Sequence, residues 1–294
     1  VDATRVPPNL LIVMDRSGSM SNSLDGTNRW TLAKQAVSAV LENYGDSIRF
    51  GLATYSACLP GGCSAGTIVV PIGADQATAI EQYLAPRIGA GSSDGAQMDG
   101  DNIRYLCNSG TPETTTGKTL LSFVGEPSLQ DTARANAVLL LTDGQESSQC
   151  RTVGVDDGPS GAAALLAQSE PVKTYVVGLS NDVTTQEIQG IADAGGTGVA
   201  IHANDQAALV AAFADIARSV VSCELVLDTA PPDPNKLFVF LDGSPKPLPR
   251  HDKDGWEYDA EKKLVTFVGT TCEKLKSGEL TDVQIVYGCP TNVR

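Results

Sequence analysis

The sequence predicts an α/β fold: a doubly wound, mostly parallel sheet with helices on both faces, followed by a small all-β module. Three observations carry this. Continuously apolar runs alternate with helix-spaced runs through the first two thirds of the chain, the pattern of parallel strands buried on both faces. Two of those apolar runs lead into an aspartate. From Cys223 onward, β-type runs separated by turn signals replace the alternation.

Residues 9–15 (Asn-Leu-Leu-Ile-Val-Met-Asp) read as a buried strand ending in Asp15. Over 28–44, Trp30, Leu32, Ala33, Ala36, Val37, Val40 and Leu41 recur at helical spacing. Residues 48–56 and 67–72 read as strands, and the short link between them suits a hairpin with 67–72 antiparallel at a sheet edge. Helices follow at 75–88 and 116–124, then a second fully apolar strand at 136–142, ending against Asp143. A helix at 160–168, a strand at 172–179, a helix at 184–194 stopped by Gly195-Gly196, a short strand at 198–202 and an amphipathic helix at 206–221 complete the alternation. Residues 89–115 form a long Gly/Ser/Asp-rich loop, of a length that marks functional or mobile segments.

This places one domain at 1–222 and the module at 223–294. The module's strands are 224–227, 237–241, 264–268 and 283–287, punctuated by Pro231-Pro232-Asp233-Pro234, Asp242-Gly243 and Asp254-Gly255. At about 70 residues it is marginal alone, and its cysteines are plausible staples.

The chain of 294 residues carries a net charge of −14, from 21 Lys/Arg and 35 Asp/Glu. So acidic a surface repels phosphate backbones, which excludes nucleic acid as a partner. No apolar run reaches membrane-spanning length. The two histidines, His202 and His251, are distant in sequence, so histidine catalysis and histidine-rich metal sites are poor readings. The sequence begins at Val1 without a signal peptide and reads as a mature or trimmed product.

Seven cysteines, with no C-x-x-C pair, argue for staples in an oxidising compartment rather than a zinc ribbon. Cys58 and Cys63 are placed to close a small loop, and Cys107 and Cys150 to clip two loops at the strand ends. If the module's first and last strands pair, Cys223 would meet Cys289, leaving Cys272 over.

The chemistry concentrates in Asp15-Arg16-Ser17-Gly18-Ser19-Met20, directly after an apolar strand. One carboxylate and two hydroxyls on a tight turn are hard oxygen donors, suited to Mg²⁺ or Mn²⁺, with Ca²⁺ as a further option. Asp143, in Leu-Thr-Asp-Gly, leaves a second buried strand, and Ser109-Gly110-Thr111-Pro112 offers a hydroxyl before a helix. In open α/β sheets ligands bind at the carboxyl ends of strands, where both acids fall. The plain structural alternative makes these acids strand-end helix caps.

These residues resemble the von Willebrand factor A family, whose metal-ion-dependent adhesion site (MIDAS) is written D-x-S-x-S with a Thr and an Asp from two further loops. The resemblance covers 9–221 and implies a metal set of Asp15, Ser17, Ser19, Thr111 and Asp143. Thr111 is one choice in a segment that also holds Thr114, Thr115 and Thr116. The resemblance further implies a Mg²⁺ whose open position takes a carboxylate from a protein partner, with the last helix able to move in response.

Other motifs fail on their spacing. Gly117-Lys118-Thr119 resembles the end of a phosphate-binding loop, but Pro112 stands where its first glycine belongs. Residues 99–103 start like a calcium loop and fail at Ile103. No base can be named for Ser17 or Ser19, so no catalytic residues and no enzyme are expected.

The expected function is therefore a secreted or cell-surface adhesion protein, similar to bacterial members of the family that are lipid-anchored or pilus-associated. The alternative is a structural or tip subunit of a cell-envelope or pilus-like assembly, with a merely structural metal. An intracellular chelatase-type subunit of the same fold is disfavoured by the cysteines.

Overall fold

A computed structural model describes residues 3–56, 62–84, 98–99, 102–103, 113–179, 185–277, 279–280 and 282–288. The chain divides into two units, Pro8–Val220 and a second made of Val1–Pro7 with Val221–Arg294. Along the chain the strands and helices are β1 (Ala3–Arg5), β2 (Asn9–Asp15), the short hairpin β3–β4 (Ser23–Leu24, Thr27–Asn28), α1 (Arg29–Tyr44), β5 (Arg49–Tyr55), β6 (Thr67–Gly73) and α2 (Ala77–Leu84). There follow the pair β7–β8 (Met98–Asp99, Asn102–Ile103), α3 (Thr116–Ser122), β9 (Asn136–Thr142), α4 (Gly158–Leu166), β10 (Val172–Leu179), α5 (Thr185–Ala194), β11 (Ala200–Ala203) and α6 (Gln206–Val220). The last are β12 (Glu224–Leu227), β13 (Leu237–Leu241), β14 (Trp256–Asp259), β15 (Leu264–Phe267), α7 (Gly269–Ser277) and β16 (Val283–Tyr287).

In the larger unit the sheet order is β11-β10-β9-β2-β5-β6. Every pairing is parallel except that of β6, the antiparallel edge strand. All seven residues of β2 and of β9 are buried. Successive side chains alternate between faces, so a strand buried throughout requires cover on both. Leu11 and Val13 of β2, with Val138 and Leu140 of β9, pack against Leu120 of α3, Leu165 of α4 and Ile188 and Ile191 of α5. Leu10, Ile12 and Met14, also fully buried, point by alternation to the other face, where α1 lies beside α6 and α2. Asn28 caps α1 through its side chain, accepting from the Thr31 N–H at 2.8 Å.

The smaller unit is not all-β, because α7 belongs to it. It also draws in the start of the chain. β1 pairs antiparallel with β12, in a sheet ordered β1-β12-β15-β14, so the module does not simply begin after residue 222. The expected pairing of its first and last strands is overturned: β16 pairs with β13, and β12 lies between β1 and β15. Its core gathers Leu225, Leu227, Leu237, Val239, Val265, Phe267 and Ile285 around Trp256. The Trp256 indole N–H donates to the Leu248 carbonyl at 3.0 Å, and the Arg250 guanidinium lies 5.1 Å from its ring centre.

The disulfides correct all three expected pairs. Cys63 bonds Cys150 and Cys223 bonds Cys272, with Cα separations of 5.1 and 5.3 Å. Cys223–Cys289 fails because α7 follows β15, the neighbour of β12, and so carries Cys272 back to the start of β12. The Phe267 N–H donates to the Cys223 carbonyl at 2.9 Å. Cys58–Cys63 and Cys107–Cys150 fail because the segment after β5 and the loop after β9 emerge at the same end of the sheet. Two cysteines far apart in sequence meet there. Cys58, Cys107 and Cys289 lie outside the described residues.

Candidate metal centre

β2 and β9 are parallel neighbours, with Met14 opposite Leu141, so Asp15 and Asp143 leave the sheet side by side at its carboxyl end. After Asp15 the chain turns tightly. The Ser17 N–H donates to Asp15 Oδ1 at 2.7 Å, an Asx-type turn that leads into the single 3₁₀ turn Gly18–Ser21. Met20, fully buried, anchors that turn.

The turn delivers both serines to the carboxylates. Ser17 Oγ and Ser19 Oγ are 3.0 Å apart, and Ser19 Oγ donates to Asp143 Oδ1 at 2.7 Å. Asp15 Oδ2 accepts from the Tyr55 hydroxyl at 3.2 Å and from Thr142 Oγ1 at 3.0 Å. Asp15, Ser17, Ser19 and Asp143 are thus in one hydrogen-bonded cluster. Both carboxylates are fully buried, while Ser19 and Gly144 are only partly covered.

Thr111 lies outside the described residues. Among the described residues of that segment, the Thr114 hydroxyl lies near Gly144, beside Ser19, and the Thr116 side chain hydrogen-bonds Tyr55. A Cβ placed on Gly144 would stand 3.6 Å from Ser19 Oγ and 3.9 Å from Thr114 Oγ1. Thr114 is pinned to the loop after Asp143 in both directions. Its N–H donates to Ser147 Oγ at 3.0 Å, and its carbonyl accepts from the Ser147 N–H at 2.9 Å. Thr115 is used elsewhere, donating to the Ser64 carbonyl at 2.9 Å.

Two residues of the surroundings had no motif to announce them. Arg29, the first residue of α1, is 5% exposed and donates from Nη1 to Asp143 Oδ2 at 2.8 Å and to the Asp143 carbonyl at 3.4 Å. Glu146 is buried and clamps two helix starts, accepting from the Gly117 N–H at 2.6 Å and the Gly158 N–H at 2.8 Å. Burial raises its carboxyl pKa, and those two N–H groups pull it back. Gly117 is obligatory in this clamp, because a Cβ there would fall 2.1 Å from the Asp156 carbonyl oxygen. Only the helical spacing around Arg29 and the position of Glu146 three residues after Asp143 were available as signals.

Burial, and then the nearby charge of Asp143, push the Asp15 pKa up from 3.8 to about 7. Burial also raises Asp143, against which the hydrogen bonds from Arg29 and Ser19 and the guanidinium charge act. Tyr55, buried beside Asp15, is raised well above its ordinary value. Two buried carboxylates joined through serine hydroxyls are costly to ionise together without a cation. Among the described residues no group of three or more His, Cys, Asp or Glu could hold a metal. The donors here are instead two carboxylates and neutral hydroxyls. All are hard oxygens, the class that Mg²⁺, Mn²⁺ and Ca²⁺ take.

The model of the von Willebrand factor type A domain matches residues 9–215. No curated protein matches the chain by sequence. Among solved structures the chain is similar to a von Willebrand factor type A protein from Catenulispora acidiphila, with TM-score 0.51 and 19% identity over 89% of this chain and 54% of that one. It is similar also to the PilB minor pilin from Streptococcus sanguinis, with TM-score 0.50 and 14% identity over 72% and 61%. Proximal thread matrix protein 1 from the mussel byssus, with a zinc-occupied MIDAS motif, matches with TM-score 0.49 and 15% identity over 75% and 49%. The chain therefore spans between 49% and 61% of these proteins' own lengths, and the likeness to the Catenulispora acidiphila and Streptococcus sanguinis proteins is one of fold.

Proposed function

The chain belongs to the von Willebrand factor type A domain family, and on that premise we propose that it is an extracytoplasmic adhesion-type protein that binds a partner through a divalent cation. The observation that carries this is the cluster itself: Asp15, Ser17, Ser19 and Asp143, from two separate strand ends, joined within hydrogen-bond reach. These four, with the hydroxyl of Thr114, are the residues that would hold Mg²⁺ or Mn²⁺; Thr111 remains the rival for the fifth place. Bound there, the cation would supply a Lewis-acidic position that takes a carboxylate oxygen of a protein ligand.

The residues prepare that position in three ways. Burial beneath the partly covered Ser19 limits competition from water. The Ser17 N–H, Tyr55 and Thr142 fix both oxygens of Asp15. Neutral hydroxyls in place of further acids limit the donor set to two carboxylates, so the cation's charge is not overcompensated. Two disulfides among the described residues support a location outside the cytoplasm.

The test passes cell-surface and matrix extracts over immobilised protein, with Mg²⁺ or EDTA, wild type against D15A. Partners kept only by metal-loaded wild type are the expected result. Equal retention in every condition would reject the metal-dependent reading. It would leave the structural-subunit alternative, in an envelope or pilus-like assembly, with the smaller unit as the binding surface.

A further inference from the structure

We propose that Arg29 is a second, built-in cation of this site, a positioning and specificity residue that gives up metal affinity in exchange for affinity toward a singly charged anionic ligand. The inference rests on the divalent-cation reading above. Arg29 sits at the N-terminus of α1, where the helix dipole disfavours positive charge. It is also buried, where a guanidinium is costly unless paired. Neither the helix nor its capping, which Asn28 performs, calls for a cation there. The Asp143 carboxylate and carbonyl, which accept from Nη1, offset both costs.

Asp143 is divided as a result. Its Oδ1 faces Ser19 and the hydroxyl donors, while its Oδ2 is held by Arg29. Asp15 has no such partner; its oxygens are held by an N–H and two neutral hydroxyls. The charge sum follows. Among the described residues of the cluster, two ionised aspartates and one guanidinium sum to about −1, and a divalent cation brings that sum to about +1. One carboxylate then neutralises the site. Without Arg29 the metal-loaded site would already be neutral, with Asp143 released to the metal and no residual charge to attract a ligand. Arginine suits the position because it stays charged when buried, and its Nη1 reaches both the carboxylate and the carbonyl of Asp143.

The two effects have opposite signs, which separates this role from structural bracing. The experiment compares wild type, R29K and R29Q as the full chain. Mn²⁺ alone is titrated by calorimetry, then acetate is titrated into the Mn²⁺-loaded protein and followed by water-proton relaxation. R29Q is expected to bind Mn²⁺ more tightly and acetate more weakly, each on the order of tenfold. R29K should stay within about threefold of wild type in both. R29M, which keeps the apolar stem, is the neutral variant used if R29Q lacks a cooperative melt. A folded neutral variant that binds Mn²⁺ equally or more weakly, or keeps its acetate affinity, overturns the inference alone. A wild type that takes up no Mn²⁺ overturns the divalent-cation reading and this inference with it.

Discussion

The two units solve the same packing problem with different resources. The larger is one continuous stretch, Pro8–Val220, whose central strands are sealed on both faces by helices from the same stretch. The smaller assembles its sheet from both ends of the chain, with β1 beside β12, and ties β12 to α7 with Cys223–Cys272, a disulfide matched in the larger unit by Cys63–Cys150. A small core gains proportionately more from a covalent tie than a large one. The larger unit also carries the costly feature, two buried carboxylates, because its core can tolerate it. The chain's two tryptophans fall one to each unit, Trp30 in α1 and Trp256 in β14, so each reports on its own unit.

The largest expected effect sets the site against the module. Asp15 has its folded pKa raised from 3.8 to about 7, so its stabilising protonated form is fully present below about pH 4 and is lost as pH rises through about 7. Metal-free protein should lose about 4 kcal/mol of stability in the larger unit across that window. Denaturant unfolding followed by Trp30 in W256F should show the loss, D15N should reduce it to the part that Asp143 and Glu146 contribute, and Mg²⁺ should oppose it near neutral pH. An unfolding curve of Trp256 in W30F that moved equally would mean the units do not differ as described.

Removing the smaller unit's tie comes next. C223S with C272S should cost about 4 kcal/mol on the chain-entropy estimate for a loop of this size. The signal of Trp256 should be lost at lower denaturant while that of Trp30 holds. A smaller cost, about 3 kcal/mol, is expected for L140A, a fully buried residue of β9, now with Trp30 responding and Trp256 unchanged. The smallest effect separates two threonines. T114V should weaken Mg²⁺ binding by about 1 kcal/mol, a several-fold change, and T111V should leave it unaltered. Calorimetric titration of both variants decides, and the reverse pattern would return the fifth place to Thr111.

Much of the larger unit was legible because its signal is local. The runs at 9–15, 136–142 and 172–179 correspond to β2, β9 and β10, since a strand covered on both faces must be apolar throughout. The antiparallel edge strand β6 was legible from the short link before it. The small unit was legible only in part. Its strands at 224–227, 237–241, 264–268 and 283–287 stood out, but β1, β14 and α7 did not. The runs of β1 and β14 are short and partly polar, and α7 carries several charged and hydroxyl residues. The site divides in the same way. Asp15, Ser17, Ser19 and Asp143 belong to compact motifs at strand ends, whereas Arg29 and Glu146 act through space.

By itself, then, the sequence determined the class of fold, the order of the central elements, and the strand-end segments from which Asp15, Ser17, Ser19 and Asp143 come. Those properties depend on side-chain period and type, which neighbours along the chain already express. Only the tertiary structure decided the cysteine partners, the joining of the chain's two ends in one sheet, the nearness of Thr114, and the pairing of Arg29 with Asp143. Each of these is a meeting between residues far apart in sequence, fixed by which strands become neighbours and where their loops converge. No local pattern encodes that distance.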